Sequence, residues 1–172
     1  MPRKRIIIDA SSAILLVKTG LFRCLTDAYR VVMAEAVYGE ASRNGYPGAR
    51  RFSGARDGGQ ILVLSARPET APQGEETLTG SGERETVRLF SQGEGDFVII
   101  DDRKGAGFCR NTGIPYINAL LFPRILMFAG GLSESDCRKQ TAQLLALGRY
   151  SKEVVAVAAG ATRERLGRFL PS

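Results

Sequence analysis

At 172 residues, 44% of them hydrophobic, the chain carries enough apolar material for one compact domain spanning 1–172. It contains no histidine, which excludes Ser-His and Cys-His nucleophile pairs and every His-ligated metal site. A net charge of +6 and a pI of about 9.5 favour an anionic partner such as nucleic acid.

No apolar run approaches the roughly 20 residues that a membrane span requires. The N-terminus is basic (Arg3, Lys4, Arg5), but the apolar stretch behind it is broken at once by Asp9, Ser11 and Ser12. It therefore reads as a strand and not as the core of a signal peptide, and a cytoplasmic protein without membrane contact is expected. Cys24, Cys109 and Cys137 lie far apart and form no Cys-x-x-Cys pair, so neither a disulfide framework nor a thiolate zinc site is expected.

In chain order, Arg5–Ile8 reads as a buried strand because β-branched residues run without alternation until Asp9. Ser11 and Ser12 are N-cap candidates for the apolar segment Ala13–Val17, and Leu21–Tyr29 reads as a second short helix. Val31–Met33 is a strand, followed by a helix over Ala34–Arg43. Residues 44–60, rich in Gly, Arg and Pro, read as an irregular insert carrying Arg50, Arg51 and Arg56. Ile61–Leu64 is a strand, the polar stretch Arg67–Gly82 a surface loop, and Glu83–Ser91 a helix. Phe97–Ile100 is the clearest strand, ending in Asp101-Asp102. Lys104–Asn111 reads as a helix with Gly113 as its C-cap, and Pro115–Ile117 as a strand. Ala119–Ala129 reads as a helix interrupted by Pro123, and residues 133–172 as a helical C-terminal region opened by Ser133 and Asp136 in a capping-box pattern. Alternating strands and helices imply an α/β fold, a three-layer α/β/α sandwich around a central parallel sheet.

Ligands of open α/β sheets bind at the carboxyl ends of the strands. Two of the clearest strands end in acid, one at Asp9 and one at Asp101-Asp102. Carboxylates crowded on one sheet edge repel, and a cation relieves that repulsion. With no histidine and no paired cysteine, oxygen ligands point to Mg²⁺ or Mn²⁺ over zinc. Glu40 on the helix after the second strand, and Glu83 and Glu85 at the start of a later helix, are further candidates. If Gly82 is that helix's N-cap, Glu83 stands at N1 and Glu85 at N3, where the helix dipole alone also favours acids.

Four segments resemble a known family. Ile8-Asp9-Ala10-Ser11-Ser12 resembles the opening motif of PIN domains, a strand followed by Asp, a small residue and Ser or Thr. Val37-Tyr38-Gly39-Glu40 resembles their Val-x-x-Glu helix. Gly82-Glu83-Arg84-Glu85-Thr86-Val87 resembles the Gly-Glu-x-Glu-x-Ile signature of a VapC-like subgroup, and Ile100-Asp101-Asp102-Arg103 with Gly113-Ile114-Pro115 resembles its later motifs. They fall in the family's order over roughly residues 5–130. The small hydroxyl residue often found after the last strand falls at Ala119 here, with Asn118 before it.

The resemblance implies a metal-dependent ribonuclease hydrolysing RNA phosphodiesters through a carboxylate pocket that binds Mg²⁺ or Mn²⁺. Position by position, Asp9, Glu40, Glu85 and Asp102 match the catalytic acids, with Glu83 and Asp101 as alternative metal ligands. Ser11, Arg50, Arg51 and Arg103 are candidates for contacts to the RNA backbone. The toxin-like subgroup further implies an antitoxin partner and a homodimer. Two rivals remain. One is a catalytically silent PIN-like module that binds RNA or protein. The other is a haloacid-dehalogenase-type phosphatase, disfavoured because Ser11 stands where its second Asp is needed.

Overall fold

β1 (Arg5–Ile8) forms the centre of the molecule, and the reason is its composition. Ile6, Ile7 and Ile8 are wholly buried, so both faces of the strand are covered, the environment in which an unalternating β-branched run is stable. The computed structural model describes residues 1–172. After β1 come α1 (Ala10–Lys18), α2 (Phe22–Ala28), β2 (Arg30–Ala34), α3 (Glu35–Ala41), α4 (Ala49–Asp57) and β3 (Ile61–Leu64). Two 3-10 turns lead to α5 (Ser81–Ser91), β4 (Phe97–Ile99), α6 (Arg103–Thr112) and β5 (Tyr116–Ile117). A further 3-10 turn precedes α7 (Phe122–Phe128), α8 (Glu134–Leu147), α9 (Lys152–Ala159) and α10 (Arg163–Leu166).

The five strands make one parallel sheet in the order β3-β2-β1-β4-β5, flanked by helices in the expected three-layer α/β/α arrangement. The order has a consequence for function. The chain steps outward from β1 through β2 to β3, then returns so that β4 pairs with the other side of β1. Connections leaving β1 and β4 therefore diverge, and a crevice opens between the carboxyl ends of these two strands. Their register, Ile8 beside Ile99, brings Asp9 level with Ile100 and the two acids behind it.

Several local expectations need correction. The N-cap of α1 is Asp9 itself, not Ser11 or Ser12: its backbone is extended and its carboxylate accepts the Ser12 N–H at 2.8 Å, so strand passes into helix with no loop. Pro123 does not interrupt a helix but sits at the start of α7, where its missing N–H has no partner to lose. The insert at 44–60 is not irregular, because α4 occupies most of it. Its arginines are good helix formers, and Phe52 and Ala55, three apart, give it a buried face. Phe52 meets Phe22 edge-on, ring centroids 5.2 Å apart.

Gly48 introduces α4 with φ of +82°, and a Cβ there would stand 2.5 Å from Val17 Cγ1. Gly48→Ala is therefore expected to lower stability by about 1–3 kcal/mol through backbone strain and overlap combined. A thermal melt reads this directly, and an unchanged midpoint would show that the α1–α4 contact yields freely.

The end of the chain returns to its beginning. The Phe169 ring packs edge-on against Phe97 at 5.0 Å, and the Tyr29 hydroxyl donates to the Phe169 carbonyl at 2.5 Å. Lys4 Nζ donates to the carbonyls of Arg168 and Leu170, both at 2.7 Å. These contacts anchor the helices after β5 to the amino-terminal end of the sheet, while the segment between α8 and α9 reaches the opposite end. No helix is long and apolar enough to cross a membrane.

Candidate active site

The crevice between β1 and β4 holds two acids from the ends of different strands, Asp9 buried and Asp101 half-buried. Asp9 is only 5% exposed, and each of its oxygens is held by backbone: Oδ1 by the Ser12 N–H, Oδ2 by the Asp101 N–H at 3.2 Å and, more weakly, the Asp102 N–H at 3.5 Å. Burial pushes the Asp9 carboxyl up to about 7, and the nearby Asp101 charge pushes the same way, against the hydrogen bonds from Ser12 and Asp101. Burial also raises Asp101, which its hydrogen bonds oppose. Cys109 lies beneath, its thiol pushed up to about 12 by burial and by Asp9, so it is an inert packing group. All three cysteines are free thiols.

Asp101 and Asp102 are adjacent in sequence but do different work. Asp101 Oδ1 accepts the Ser12 hydroxyl at 2.9 Å and the Ala119 N–H at 2.6 Å, and Oδ2 accepts the Tyr150 hydroxyl. One carboxylate thus ties α1, the turn after β5 and the α8–α9 connection together. Asp102 turns the other way and caps α6, its Oδ2 accepting the Gly105 N–H at 2.8 Å, while its second oxygen accepts no hydrogen bond.

The three glutamates gather at the α3–α5 contact. α5 begins two residues earlier than expected: Gly80, not Gly82, is the N-cap, so Glu83 stands at N3, not N1, and Glu85 lies beyond the first turn. Glu83 folds back over Gly80, in space that any Cβ there would fill, and its Oε2 is buried with no hydrogen-bond partner. Glu85 Oε2 accepts the Ala36 N–H at 2.9 Å and so satisfies the start of α3, whose own N-cap, Ala34, has no side chain to do it. Glu40 is exposed, with its carboxylate beside Gly82.

The acids therefore form two groups, aspartates at the strand ends and glutamates across α3 and α5. No three of them stand close enough together to hold a single ion. The donor chemistry still fits a hard divalent cation. The acids at the strand ends offer oxygen ligands, neither Asp9 nor Asp101 forms an ion pair with a basic side chain, and Glu83 holds an orphaned buried oxygen.

The other candidates are scattered. Ser11 is exposed on α1, and it is Ser12 that joins the acids. Ser12 was legible in principle, since the residue three beyond an Asp N-cap donates to it. Tyr150 was not, because 49 residues separate it from its partner. Arg103 stands at the start of α6, beside Asp101 in the same cleft. Arg50 and Arg51 sit near Gly48, which abuts Val17 toward the far end of α1, about 12 Å along that helix from Asp9. Arg56 is engaged elsewhere, over the Tyr38 ring and paired with Asp57.

A family model described as a PIN domain matches residues 5–157. Comparison with curated proteins and with solved structures found no match.

Proposed function

Because the chain belongs to the PIN-domain family, whose members are generally nucleases, we propose that it is a Mg²⁺- or Mn²⁺-dependent endoribonuclease centred on Asp9. The observation that carries this reading is the pairing of buried Asp9 with half-buried Asp101 at the point where the strand order reverses. Two carboxylates this close repel when both are ionised, and either a proton or a nearby cation relieves the repulsion.

Asp9 and the free oxygen of Asp102 would hold the ion, with Glu40, Glu83 and Glu85 serving it or its waters from across the crevice. When bound, such an ion acidifies a coordinated water and neutralises charge on the phosphodiester. Asp101 is a positioning residue. Its three hydrogen bonds fix the loop after β4, and that loop's N–H groups orient Asp9. Arg103 and Ser11 would meet RNA phosphates close to the acids, and Arg50 and Arg51 would meet the strand farther along. A role as the toxin of a toxin–antitoxin pair, acting in the cytoplasm as a homodimer restrained by an antitoxin protein, is the biological setting proposed for that activity.

The separation of the aspartates from the glutamates favours a second reading, a PIN domain that binds nucleic acid without cutting it. Incubation of the protein with labelled single-stranded RNA and Mn²⁺ or Mg²⁺ decides between them. Cleavage that appears with the ion and stops with excess chelator is the expected result. RNA binding without cleavage at any ion concentration would overturn the nuclease reading in favour of the silent module.

A further inference from the structure

A cleft of about 660 Å³ opens beside the acids, between α6, β5 and the start of α9. We propose that it is a nucleotide subsite, seating the RNA residue next to the phosphodiester held at Asp9. The inference rests on the nuclease reading for its role and on the cleft's own chemistry for its ligand.

Three arginines line the cleft: Arg103 and Arg110 from α6, and Arg149 from the α8–α9 connection. None of them donates a hydrogen bond or forms an ion pair within the chain, unlike Arg5, Arg88 and Arg138, which each bind a carboxylate. Arg110 lies back along α6 toward Gly107, where a side chain would meet its Nη2 at 3.9 Å. Against these three charges the lining holds two carboxylates, Asp101 and Glu153. Asp101 is already bound by Ser12, Ala119 and Tyr150, and Glu153 lies near Arg103, so Arg110 and Arg149 are left without a counter-charge. Free, planar, five-donor groups in a concave site are suited to a phosphate.

The same cleft offers surfaces for a base. Tyr116 and Tyr150 are half-buried and line it, and aromatic rings stack nucleobases with little sequence preference. Asn118 uses its side-chain oxygen to accept the Leu121 N–H at 3.2 Å, which leaves its amide NH₂ free to donate to a base edge. The volume lies in the range of small-ligand pockets and accommodates a nucleotide.

Continuity with the acids makes this a substrate subsite and not a separate one. Asp101 lines the cleft and stands beside Asp9, and Tyr150, whose hydroxyl donates to Asp101, forms part of the cleft's wall. A strand with a phosphodiester at Asp9 has its neighbouring residue at the mouth of this cleft. Gly148 allows that wall to form, because a Cβ there would overlap the Tyr150 ring.

The test uses fluorescence anisotropy with a labelled single-stranded RNA decamer in excess chelator, so that binding is read without cleavage. Arg110→Ala/Arg149→Ala is compared with wild type and with Arg23→Ala/Arg138→Ala, which removes the same charge elsewhere. The cleft variant is expected to raise Kd by about tenfold or more, against about twofold for the control, with both melting as wild type does. With Mn²⁺ present, the cleft variant is expected to raise KM by a similar factor while kcat stays close to wild type. Equal losses in both double variants would mean diffuse charge attraction only, and wild-type binding by the cleft variant would remove the subsite; either result overturns the proposal. If wild type never cleaves RNA yet the cleft variant alone loses affinity, the nuclease reading fails and the nucleotide subsite stands.

Discussion

Asp9→Asn is expected to reduce RNA cleavage by on the order of 10³-fold or more while removing most of the pH dependence of the metal-free protein's stability. The two effects have one cause. The amide keeps the shape of the carboxylate and still caps α1, so the fold is retained, but it removes the charge that would attract a cation. That charge is costly to the fold by itself. The Asp9 carboxyl is raised from 3.8 in the unfolded chain to about 7 in the folded protein, by burial first and by Asp101 second. Between those values the folded state keeps a proton that the unfolded chain gives up. The stability that the protonated group contributes is therefore full below 3.8 and lost as pH rises through about 7, by roughly 4 kcal/mol at most. In chelator, wild type is thus expected to be less stable at pH 8 than at pH 5.5, and Asp9→Asn to flatten that slope. Added Mn²⁺ reverses the order, raising the melting temperature of wild type far more than that of the variant. Denaturation curves at the two pH values, with and without the ion, check each part. An unchanged cleavage rate or an unchanged pH slope would remove Asp9 from the centre of the site.

Phe97→Ala is expected to cost about 3–5 kcal/mol of stability, the range for emptying a large aromatic site in a core. Phe97 is 1% exposed at the start of β4 and meets two rings edge-on, Tyr29 at 5.7 Å and Phe169 at 5.0 Å. The second contact helps to seat the C-terminal turn on the sheet. The variant is therefore expected to expose residues after α10 to carboxypeptidase sooner than global unfolding would. Urea titration measures the loss, and timed proteolysis with mass analysis locates it. A loss below about 1 kcal/mol would mean that Tyr29, through its hydrogen bond to Phe169, holds the tail unaided.

The elements that were legible in advance are those whose signal is local. A run of isoleucines can only be comfortable with both faces covered, and Phe97–Ile99 follows the same rule, so β1 and β4 and the acids behind them could be placed from residue types alone. Gly113 ends α6 with φ of +75°, and Ser133 opens α8 by accepting the Asp136 N–H, again because a single residue type satisfies a backbone need. In the α4 segment the many glycines and arginines mask the two buried positions, Phe52 and Ala55, that make it helical. The start of α5 was displaced for a related reason: two glycines, Gly80 and Gly82, are both acceptable N-caps, and the choice depends on Glu83 needing the space above Gly80.

Asp9 is more than the first acid of a motif: it caps α1 and stands beside Asp101. By itself the sequence determined that it ends a buried strand, that another acid-ended strand exists, and that no histidine can share its chemistry. Backbone propensity and composition suffice for those statements, because they concern neighbours in the chain. Tertiary structure alone decided that β4 lies beside β1, that Asp101 and not Asp102 faces Asp9 while Asp102 keeps an oxygen free, and that Ser12 and a tyrosine from 49 residues away complete the arrangement. Those pairings depend on strand order and on which buried polar atoms find donors. Such choices minimise unsatisfied charge over the whole molecule, and no local stretch of sequence carries the information.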